Sequence, residues 1–116
     1  MRYISKEERP WGRFYILSES TKYKIKKIEV DPEKRLSYQF HKKRSETWII
    51  IKGRATITLD DKIIIKEEQE IIEIPKNIKH RVENQQTEKL VFIEVQTGDY
   101  FGEDDIVRIQ DDYNRI

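Results

Sequence analysis

The hydrophobic pattern of the chain is a series of short apolar runs interrupted by turn-forming residues. Alternation with a period of two is typical of β-strands, because successive side chains of a strand point to opposite faces. Helical periodicity is scarce. The pattern predicts strands over residues 23–30, 36–41, 47–53, 55–59, 63–66, 70–75, 80–84 and 89–98. Strands at this spacing favour an all-β barrel or a jelly-roll sandwich.

Four places in this pattern carry finer predictions. The alternation in 23–30 changes phase at Lys27, which predicts a β-bulge there. Residues 60–62 (DDK) predict a tight turn between two strands. Residues 5–14 are expected to form a short turn, and residues 103–116 a short helix or a final strand.

Strand 36–41 is amphipathic in an unusual way. Leu36, Tyr38 and Phe40 share one face, and the opposite face is polar, with Ser37, Gln39 and His41. If this polar face points into a barrel, its side chains need hydrogen-bond partners, a metal ion or a wet pocket, because unpaired buried polar groups are costly. The alternative is an edge strand whose polar face meets water.

Composition narrows the class of protein. The 116 residues fit one domain, and 23 Lys plus Arg against 22 Asp plus Glu argue against nucleic-acid binding. No apolar run approaches the ~20 residues that span a bilayer, and the N-terminus lacks the apolar centre of a signal peptide. The absence of cysteine excludes disulfides and thiolate metal sites and fits a cytoplasmic protein.

The only two histidines lie in polar patches that adjoin strands. His41 precedes Glu46, which opens the next strand, and His80 follows a turn in which Asn77 tolerates a positive φ. Imidazole and carboxylate groups suit Zn²⁺, Mn²⁺, Fe²⁺ or Ni²⁺. The alternative is a polar cluster without a metal.

Two segments resemble the motifs of the cupin family. The first, EKRLSYQFHKKRSETWIIIKG, spans 33–53 and supplies His41, Glu46 and Gly53. The second, EIIEIPKNIKHRVEN, spans 70–84 and supplies Pro75, His80 and Asn84.

Further blocks resemble one cupin subfamily, the type II mannose-6-phosphate isomerase domain. They are RPWGRF (9–14), YKIKKIEVDP (23–32), LSYQFHKKRSETWIIIKGRA (36–55), IPKNIKHRVEN (74–84) and IEVQTGDYFGEDDIVRIQDDYNR (93–115). The resemblance covers nearly the whole chain. It implies a cupin jelly-roll β-barrel over residues 1–116, a divalent metal, a homodimer, and interconversion of mannose 6-phosphate and fructose 6-phosphate on the route to GDP-mannose.

The chain departs from the subfamily pattern at several places. Lys43 stands where the subfamily has a second motif histidine. Four positions that are usually glycine carry Glu33, Glu70, Asn77 and Asn114. Each would cost about 1 kcal/mol if its φ is positive.

The resemblance together with residue type assigns the metal to Gln39, His41, Glu46 and His80. Zn²⁺ is the first choice, with Mn²⁺, Ni²⁺, Fe²⁺ and Co²⁺ as further possibilities. Gln39 alternatively hydrogen-bonds to a ligand rather than binding the metal itself.

Catalysis and phosphate binding are assigned to five further residues. Lys43, Glu94 and Arg108 are the predicted catalytic residues. Lys43 shares parity with Gln39 and His41, so it is expected to point inward as a proton shuttle, a phosphate ligand or a substitute for the metal's charge; the alternative is a solvated lysine. Arg44, Arg81 and also Arg108 are candidates for binding the substrate phosphate, the alternative being surface charges or ion pairs.

Two functions of different class follow. The first is a metal-dependent mannose-6-phosphate isomerase, which moves a proton through an enediol. The second is a non-catalytic cupin that binds a phosphosugar or nucleotide-sugar beside a separate guanylyltransferase. The chain has no Gly-rich phosphate loop of its own to supply the guanylyltransferase part.

Overall fold

The computed structural model describes residues 2–115, and this part of the chain consists of strands and loops without any helix. The prediction of an all-β protein is therefore confirmed. The strands are β1 (Ser5–Arg9), β2 (Gly12–Glu19), β3 (Tyr23–Val30), β4 (Tyr38–Phe40), β5 (Arg44–Lys52), β6 (Ala55–Leu59), β7 (Lys62–Lys66), β8 (Ile71–Ile74), β9 (His80–Glu83), β10 (Leu90–Gly98) and β11 (Val107–Gln110).

The strands form two antiparallel sheets. The larger sheet has the order β1-β2-β3-β10-β5-β8, and the smaller has the order β11-β4-β9-β6-β7. The chain crosses between the sheets several times, and their inward faces enclose a common interior. Residues 2–115 contain no helix long and apolar enough to cross a membrane.

Several local predictions can be compared with the structure. Asp60 and Asp61 have φ of 49° and 67°, so the predicted tight turn between β6 and β7 is confirmed. Residues 5–14 form the β1–β2 hairpin rather than an isolated turn, and the final segment contains strand β11 rather than a helix. Strand 36–41 is shorter than predicted, because only residues 38–40 pair continuously.

The predicted bulge at Lys27 is wrong. Strand β3 pairs with β10 in one unbroken register from Tyr23 to Val30. Lys24 and Lys26 are buried on the same side as Ile28 and Val30. The apparent change of phase in the sequence therefore does not reflect an extra residue. It arises because the inward-facing side chains of this regular strand change from charged to apolar.

This change of polarity runs across three neighbouring strands of the larger sheet. Phe92 on β10 pairs with Ile28 and Ile50, whereas Gln96 pairs with Lys24 and Glu46. We call the two regions the apolar half and the polar half of the interior. The apolar half comprises Ile28, Val30, Trp48, Ile50, Leu90 and Phe92, and the polar half comprises Lys24, Lys26, Arg44, Glu46, Glu94 and Gln96.

Three of the four substituted glycine positions do adopt a left-handed backbone. The φ values are 61° at Glu33, 65° at Asn77 and 58° at Asn114. Asparagine tolerates this region better than glutamate does, so Glu33 carries the largest strain of the three. The fourth position, Glu70, has no positive φ, and its neighbour Gln69 has one of 72° instead.

Gly98 ends β10 at the point where the chain before β5 crosses it. A side chain on Gly98 would collide with the carbonyl group of Lys43 and the Cα of Arg44. Glycine is therefore required for the close approach that places residues 41–44 over the end of the barrel.

Candidate metal centre and cavity

Three potential metal ligands meet at the polar end of the interior. His41 follows β4, Glu46 lies on β5 and His80 begins β9. All three side chains are buried, and one ligand atom from each lies within 4.8 Å of the other two. The fold thus brings together the two histidines and the glutamate that the sequence pattern singled out.

Hydrogen bonds orient both imidazole rings. The carbonyl oxygen of Asp105 lies 2.6 Å from Nδ1 of His41, and that of Ile78 lies 3.0 Å from Nδ1 of His80. A carbonyl only accepts, so each Nδ1 donates and each Nε2 carries the lone pair of the neutral ring. Nε2 of His41 lies 3.3 Å from Oε2 of Glu46, while the buried Nε2 of His80 has no hydrogen-bond partner among residues 2–115.

The protonation states also suit a cation. Burial lowers the pKa of His41 to about 4 and lowers the pKa of His80 as well. Burial alone would raise the pKa of Glu46, but the charge of Arg44 and the smaller contributions of His41, His80 and Glu94 together outweigh it and hold that pKa well below its usual value. Two neutral imidazoles and one carboxylate form a donor set that fits a divalent metal such as Zn²⁺.

Arg44 lies inside this group. Its Nε donates to Oε2 of Glu46 at 2.9 Å, and its Nη2 lies 3.3 Å from Nε2 of His41. The guanidinium therefore contacts two of the atoms that a metal would need. Metal binding at Glu46 and His41 requires these contacts to loosen.

Trp48 connects the group to the hydrophobic core. Its Nε1 donates to Oε1 of Glu46 at 2.9 Å. Its ring centroid lies 5.7 Å from that of His80 and 4.9 Å from that of Phe92. The indole thus fixes the carboxylate from the apolar side, a contact that sequence patterns did not identify.

A cavity of about 100 Å³ opens beside this group. Its walls carry five cations and three carboxylates in addition to apolar side chains. The lining residues are Arg9, Trp11, Phe14, Lys26, Ile28, Leu36, Ser37, Gln39, His41, Arg44, Glu46, Glu94, Glu103, Ile106, Arg108 and Arg115.

Gln39 lies on the cavity wall between two residues of interest. It pairs across the smaller sheet with His80 on one side and Arg108 on the other. Its Oε1 accepts a hydrogen bond from Ser37 Oγ at 2.7 Å. Its role as a metal ligand stays a prediction.

The expectation that Lys43 points inward is wrong. Its side chain is exposed, and Nζ lies 4.8 Å from the centroid of the Tyr100 ring, outside the cavity. The parity argument fails because β4 ends at Phe40. The turn that follows is held by the Asp105 carboxylate, which accepts hydrogen bonds from the backbone N–H groups of Lys42 and Lys43 at 3.0 Å each.

Glu94 projects into the cavity from β10. It is buried, and its Oε2 accepts a hydrogen bond from Nε2 of Gln96 at 2.6 Å. Burial, followed by the negative charge of Glu46, raises the pKa of Glu94 to about 8. Glu94 therefore holds a proton near neutral pH, in contrast to the ionised Glu46 beside it.

A second ion-pair group was missed by the sequence patterns. Nζ of Lys26 and Nζ of Lys24 lie 2.6 and 3.0 Å from Oε1 of Glu103. Burial opposes ionisation of Glu103, but the two lysines outweigh it and hold its pKa at about 2. The signal was present in β3, where both lysines share the parity of buried isoleucine and valine.

The predicted phosphate arginines fall in different places. Arg44 lines the cavity but is paired with Glu46. Arg81 does not line it; its guanidinium donates to the carbonyl of Leu36 and to Gln110. Arg108 does line the cavity, together with two arginines that the sequence patterns missed, Arg9 and Arg115.

The chain is similar in sequence to proteins that are already known. The sequence model of the family "Mannose-6-phosphate isomerase C-terminal" matches residues 2–111. Mannose-1-phosphate guanylyltransferase 2 of Escherichia coli O157:H7 is 44% identical over 113 residues, which cover 96% of this chain and 23% of that protein. The alginate biosynthesis protein AlgA of Pseudomonas aeruginosa is 42% identical over 107 residues, covering 92% of this chain and 22% of that protein.

Solved structures confirm the cupin fold. An uncharacterized Klebsiella pneumoniae protein with a double-stranded β-helix domain has a TM-score of 0.72 at 16% identity, with 82% of this chain and 76% of that chain covered. The chain spans about a quarter of the length of the curated relatives it matches, 23% in the first of them.

Proposed function

The chain belongs to the mannose-6-phosphate isomerase C-terminal family, and from that premise we propose that it interconverts mannose 6-phosphate and fructose 6-phosphate. The observation that carries the proposal is that two members of the His41–Glu46–His80 group, His41 and Glu46, line the same cavity as the proton-holding Glu94. Both parts are needed, because the reaction requires a polarised carbonyl and a group that moves a proton between two carbons.

The metal would be held by His41, Glu46 and His80, with Gln39 as a fourth candidate ligand. The donor types favour Zn²⁺, although Mn²⁺, Ni²⁺, Fe²⁺ and Co²⁺ accept similar ligands. When bound, such an ion acts as a Lewis acid at the substrate oxygens. The orphaned lone pair of His80 Nε2 is the strongest support for a cation at this point.

Glu94 is the best candidate for the proton-transferring residue. Isomerisation moves one proton from C2 to C1 and one between the two oxygens, with no net change of oxidation state. A base with a pKa near 8 can take up and return a proton at neutral pH. The other candidates suit the task less well, since the pKa of Glu103 is held at about 2 and Lys43 lies outside the cavity.

Apolar side chains help to keep water out of the cavity. Trp11, Phe14 and Ile28 form part of its wall. Excluding water strengthens the electrostatic contacts of Glu94 and protects an enediol from side reactions.

The contacts of Arg44 favour a second candidate function. Because Arg44 already neutralises Glu46, the protein could bind a phosphosugar or nucleotide-sugar without holding a metal or turning over. This non-catalytic role would be accessory to a separate guanylyltransferase.

A coupled assay of fructose 6-phosphate formation separates the two functions. Protein purified with measured metal content, then supplemented with Zn²⁺ or Mn²⁺, is expected to convert mannose 6-phosphate. The Glu94→Gln variant is expected to retain metal and lose at least a hundredfold in kcat. Full metal occupancy without turnover by the unaltered protein would exclude the isomerase and leave the binding role.

The homodimer and the cytoplasmic location implied by sequence stay predictions. The outer face of the larger sheet offers one surface for self-association, since Ile49 pairs there with Ile71 and Ile93, and Ile71 is exposed. Sedimentation of the unaltered protein and of Ile71→Lys would test the dimer.

A further inference from the structure

The cavity has a second charged wall that the metal group and Glu94 do not use. Arg9 at the end of β1, Arg108 on β11 and Arg115 near the C-terminal end of the described residues all line it. These residues come from three separate parts of the chain. We call them the arginine cluster.

Arg108 is the least satisfied member of the cluster. Its Nε is buried without a hydrogen-bond partner, and its guanidinium forms no ion pair with any carboxylate of residues 2–115. Burial lowers its pKa, and the charges of Arg115 and Arg9 lower it further, against the opposing charge of Asp111. Arg108 therefore lies close enough to Arg115 and Arg9 for their charges to oppose its own.

The nearby carboxylates are already engaged. Asp111 accepts two hydrogen bonds from Arg115, at 2.8 Å from Nε and 2.9 Å from Nη2. Glu7 lies 3.5 Å from Nη2 of Arg9. The arginine cluster thus retains an excess of positive charge directed at the cavity, and an incoming dianion would relieve it.

Arg9 is fixed in orientation by an aromatic contact. Its Cζ lies 5.0 Å from the centroid of the Phe14 ring, and Phe14 is itself part of the cavity wall. A stacked guanidinium keeps its N–H groups in one plane, which suits bidentate contact with phosphate oxygens.

The position of the cluster relative to the metal group also matters. Arg108 pairs with Gln39 across β11 and β4, and Gln39 pairs with His80 across β4 and β9. Arg108 and His80 are thus two strand spacings apart, about 10 Å. Such a separation matches a substrate whose carbonyl and phosphate lie at opposite ends of a short carbon chain.

From these contacts we infer that Arg9, Arg108 and Arg115 form the binding site for the phosphate monoester dianion of the substrate. This inference rests on the proposed function; it keeps Arg108 from the predicted phosphate candidates and replaces Arg44 and Arg81 by Arg9 and Arg115. Arg108 supplies unpaired N–H donors, and Arg9 and Arg115 supply the flanking charge.

Calorimetric titration with ligands that cannot isomerise tests the inference separately from turnover. The probes are mannitol 1-phosphate, which lacks the carbonyl group, with mannitol, inorganic phosphate and acetate for comparison. The protein as purified is expected to bind mannitol 1-phosphate, to bind inorganic phosphate more weakly, and to bind neither mannitol nor acetate measurably.

Arg108→Gln and Arg9→Gln are each expected to weaken binding of mannitol 1-phosphate by ten- to a hundredfold. Arg54→Gln is the matched control, because Arg54 is exposed and paired with Glu67 outside this cavity, and its affinity is expected to remain unchanged. Arg108→Gln should also raise the Tm of the ligand-free protein, since it removes a half-buried charge that two cations oppose.

Each outcome bears on one proposal or the other. Equal affinity in Arg108→Gln, Arg9→Gln and the unaltered protein would overturn the arginine assignment even if isomerase activity is present. Binding of acetate as tight as that of inorganic phosphate would overturn the preference for a dianion. Arginine-dependent phosphate binding without turnover would support this inference while contradicting the isomerase proposal.

Discussion

The two halves of the barrel interior are built on the same three strands but serve opposite purposes. On β10, Leu90 and Phe92 are completely buried against other apolar side chains. Two residues further along, Glu94 and Gln96 are equally buried but face charged groups. Strands β3 and β5 change character at the same level.

This difference shows that, in one small domain, the residues that stabilise the fold and the residues that could react lie in separate regions of the interior. Apolar burial contributes roughly 25 cal/mol per Å² and needs no partner groups. Buried charges need compensation, and here each one has a partner or a shifted pKa, as with Arg44 and Glu46 or Lys26 and Glu103. The polar half is therefore expected to add little stability, or to reduce it, while it holds the reactive groups.

The largest effect is expected from a cavity in the apolar half. Phe92→Ala removes a completely buried ring that packs on Trp48. We expect the free energy of unfolding to fall by about 3–5 kcal/mol, measured by urea denaturation. Ile63→Ala, at an exposed position of β7, is the control and should change it by about 0.5 kcal/mol or less. Similar losses in both variants would contradict the division of the interior.

Removing a carboxyl group from the polar half should instead stabilise the protein at high pH. The pKa of Glu94 is about 8 in the folded protein against an ordinary value of 4.5 for a glutamate carboxyl group. Between these values the folded state keeps a proton that the unfolded state releases, so this group lowers stability as pH rises from 4.5 to 8. Glu94→Gln lacks this dependence and should be more stable than the unaltered protein at pH 9, by on the order of a few kcal/mol.

Urea denaturation at pH 5 and pH 9 measures this difference. Glu73→Gln, on the exposed face of β8, is the control and should show no comparable gain between the two pH values. A Glu94→Gln variant that is less stable than the unaltered protein at pH 9 would show that the carboxylate is well compensated in the folded state.

Metal binding should make the polar half stabilise the folded protein, where without metal it adds little stability or reduces it. A ligand that binds only the folded state adds about 2.7 kcal/mol at a hundredfold excess over its Kd. Zn²⁺ is therefore expected to raise the free energy of unfolding of the unaltered protein and to leave that of His80→Gln unchanged.

Lys43→Ala provides the matched control for this measurement. Its side chain lies outside the cavity, so metal affinity and stabilisation by Zn²⁺ should remain as in the unaltered protein. A loss of Zn²⁺ affinity in Lys43→Ala would show that Lys43 contributes to the metal site, and it would contradict the outward orientation of this side chain.

The smallest effect is expected at the boundary between the halves. Trp48→Phe keeps an aromatic ring beside Phe92 but removes the N–H group that donates to Glu46. We expect a loss of about 1.5 kcal/mol in the free energy of unfolding and roughly tenfold weaker Zn²⁺ binding. Trp11→Phe, at a position that lines the cavity without a hydrogen bond to Glu46, should leave Zn²⁺ affinity unchanged. Equal Zn²⁺ affinities in the two variants would show that the indole does not position the carboxylate.

Much of this molecule could be predicted from its amino-acid sequence alone. Alternation of apolar and polar residues predicted strands β3 to β10, since the period of a strand is local, but it did not predict β1 or β2. The two histidines and Glu46 could be singled out because few residue types bind metals, and the family was indicated by the resemblance of several sequence blocks. Asn77 and the pair Asp60–Asp61 marked left-handed turns for reasons carried by the residues themselves.

Other features were decided only when the strands came together. The parity of Lys43 could not be extended past the end of β4, because the Asp105 carboxylate, 62 residues further along, holds the turn in another direction. The lysines of β3 suggested a bulge because nothing near them in the sequence indicates a partner that would let them be buried. That partner, Glu103, lies 77 residues beyond Lys26. The arginine cluster joins residues near both ends of the chain. Local pattern fixes which way a strand faces, but the partner of a buried charge depends on long-range pairing that only the tertiary structure establishes.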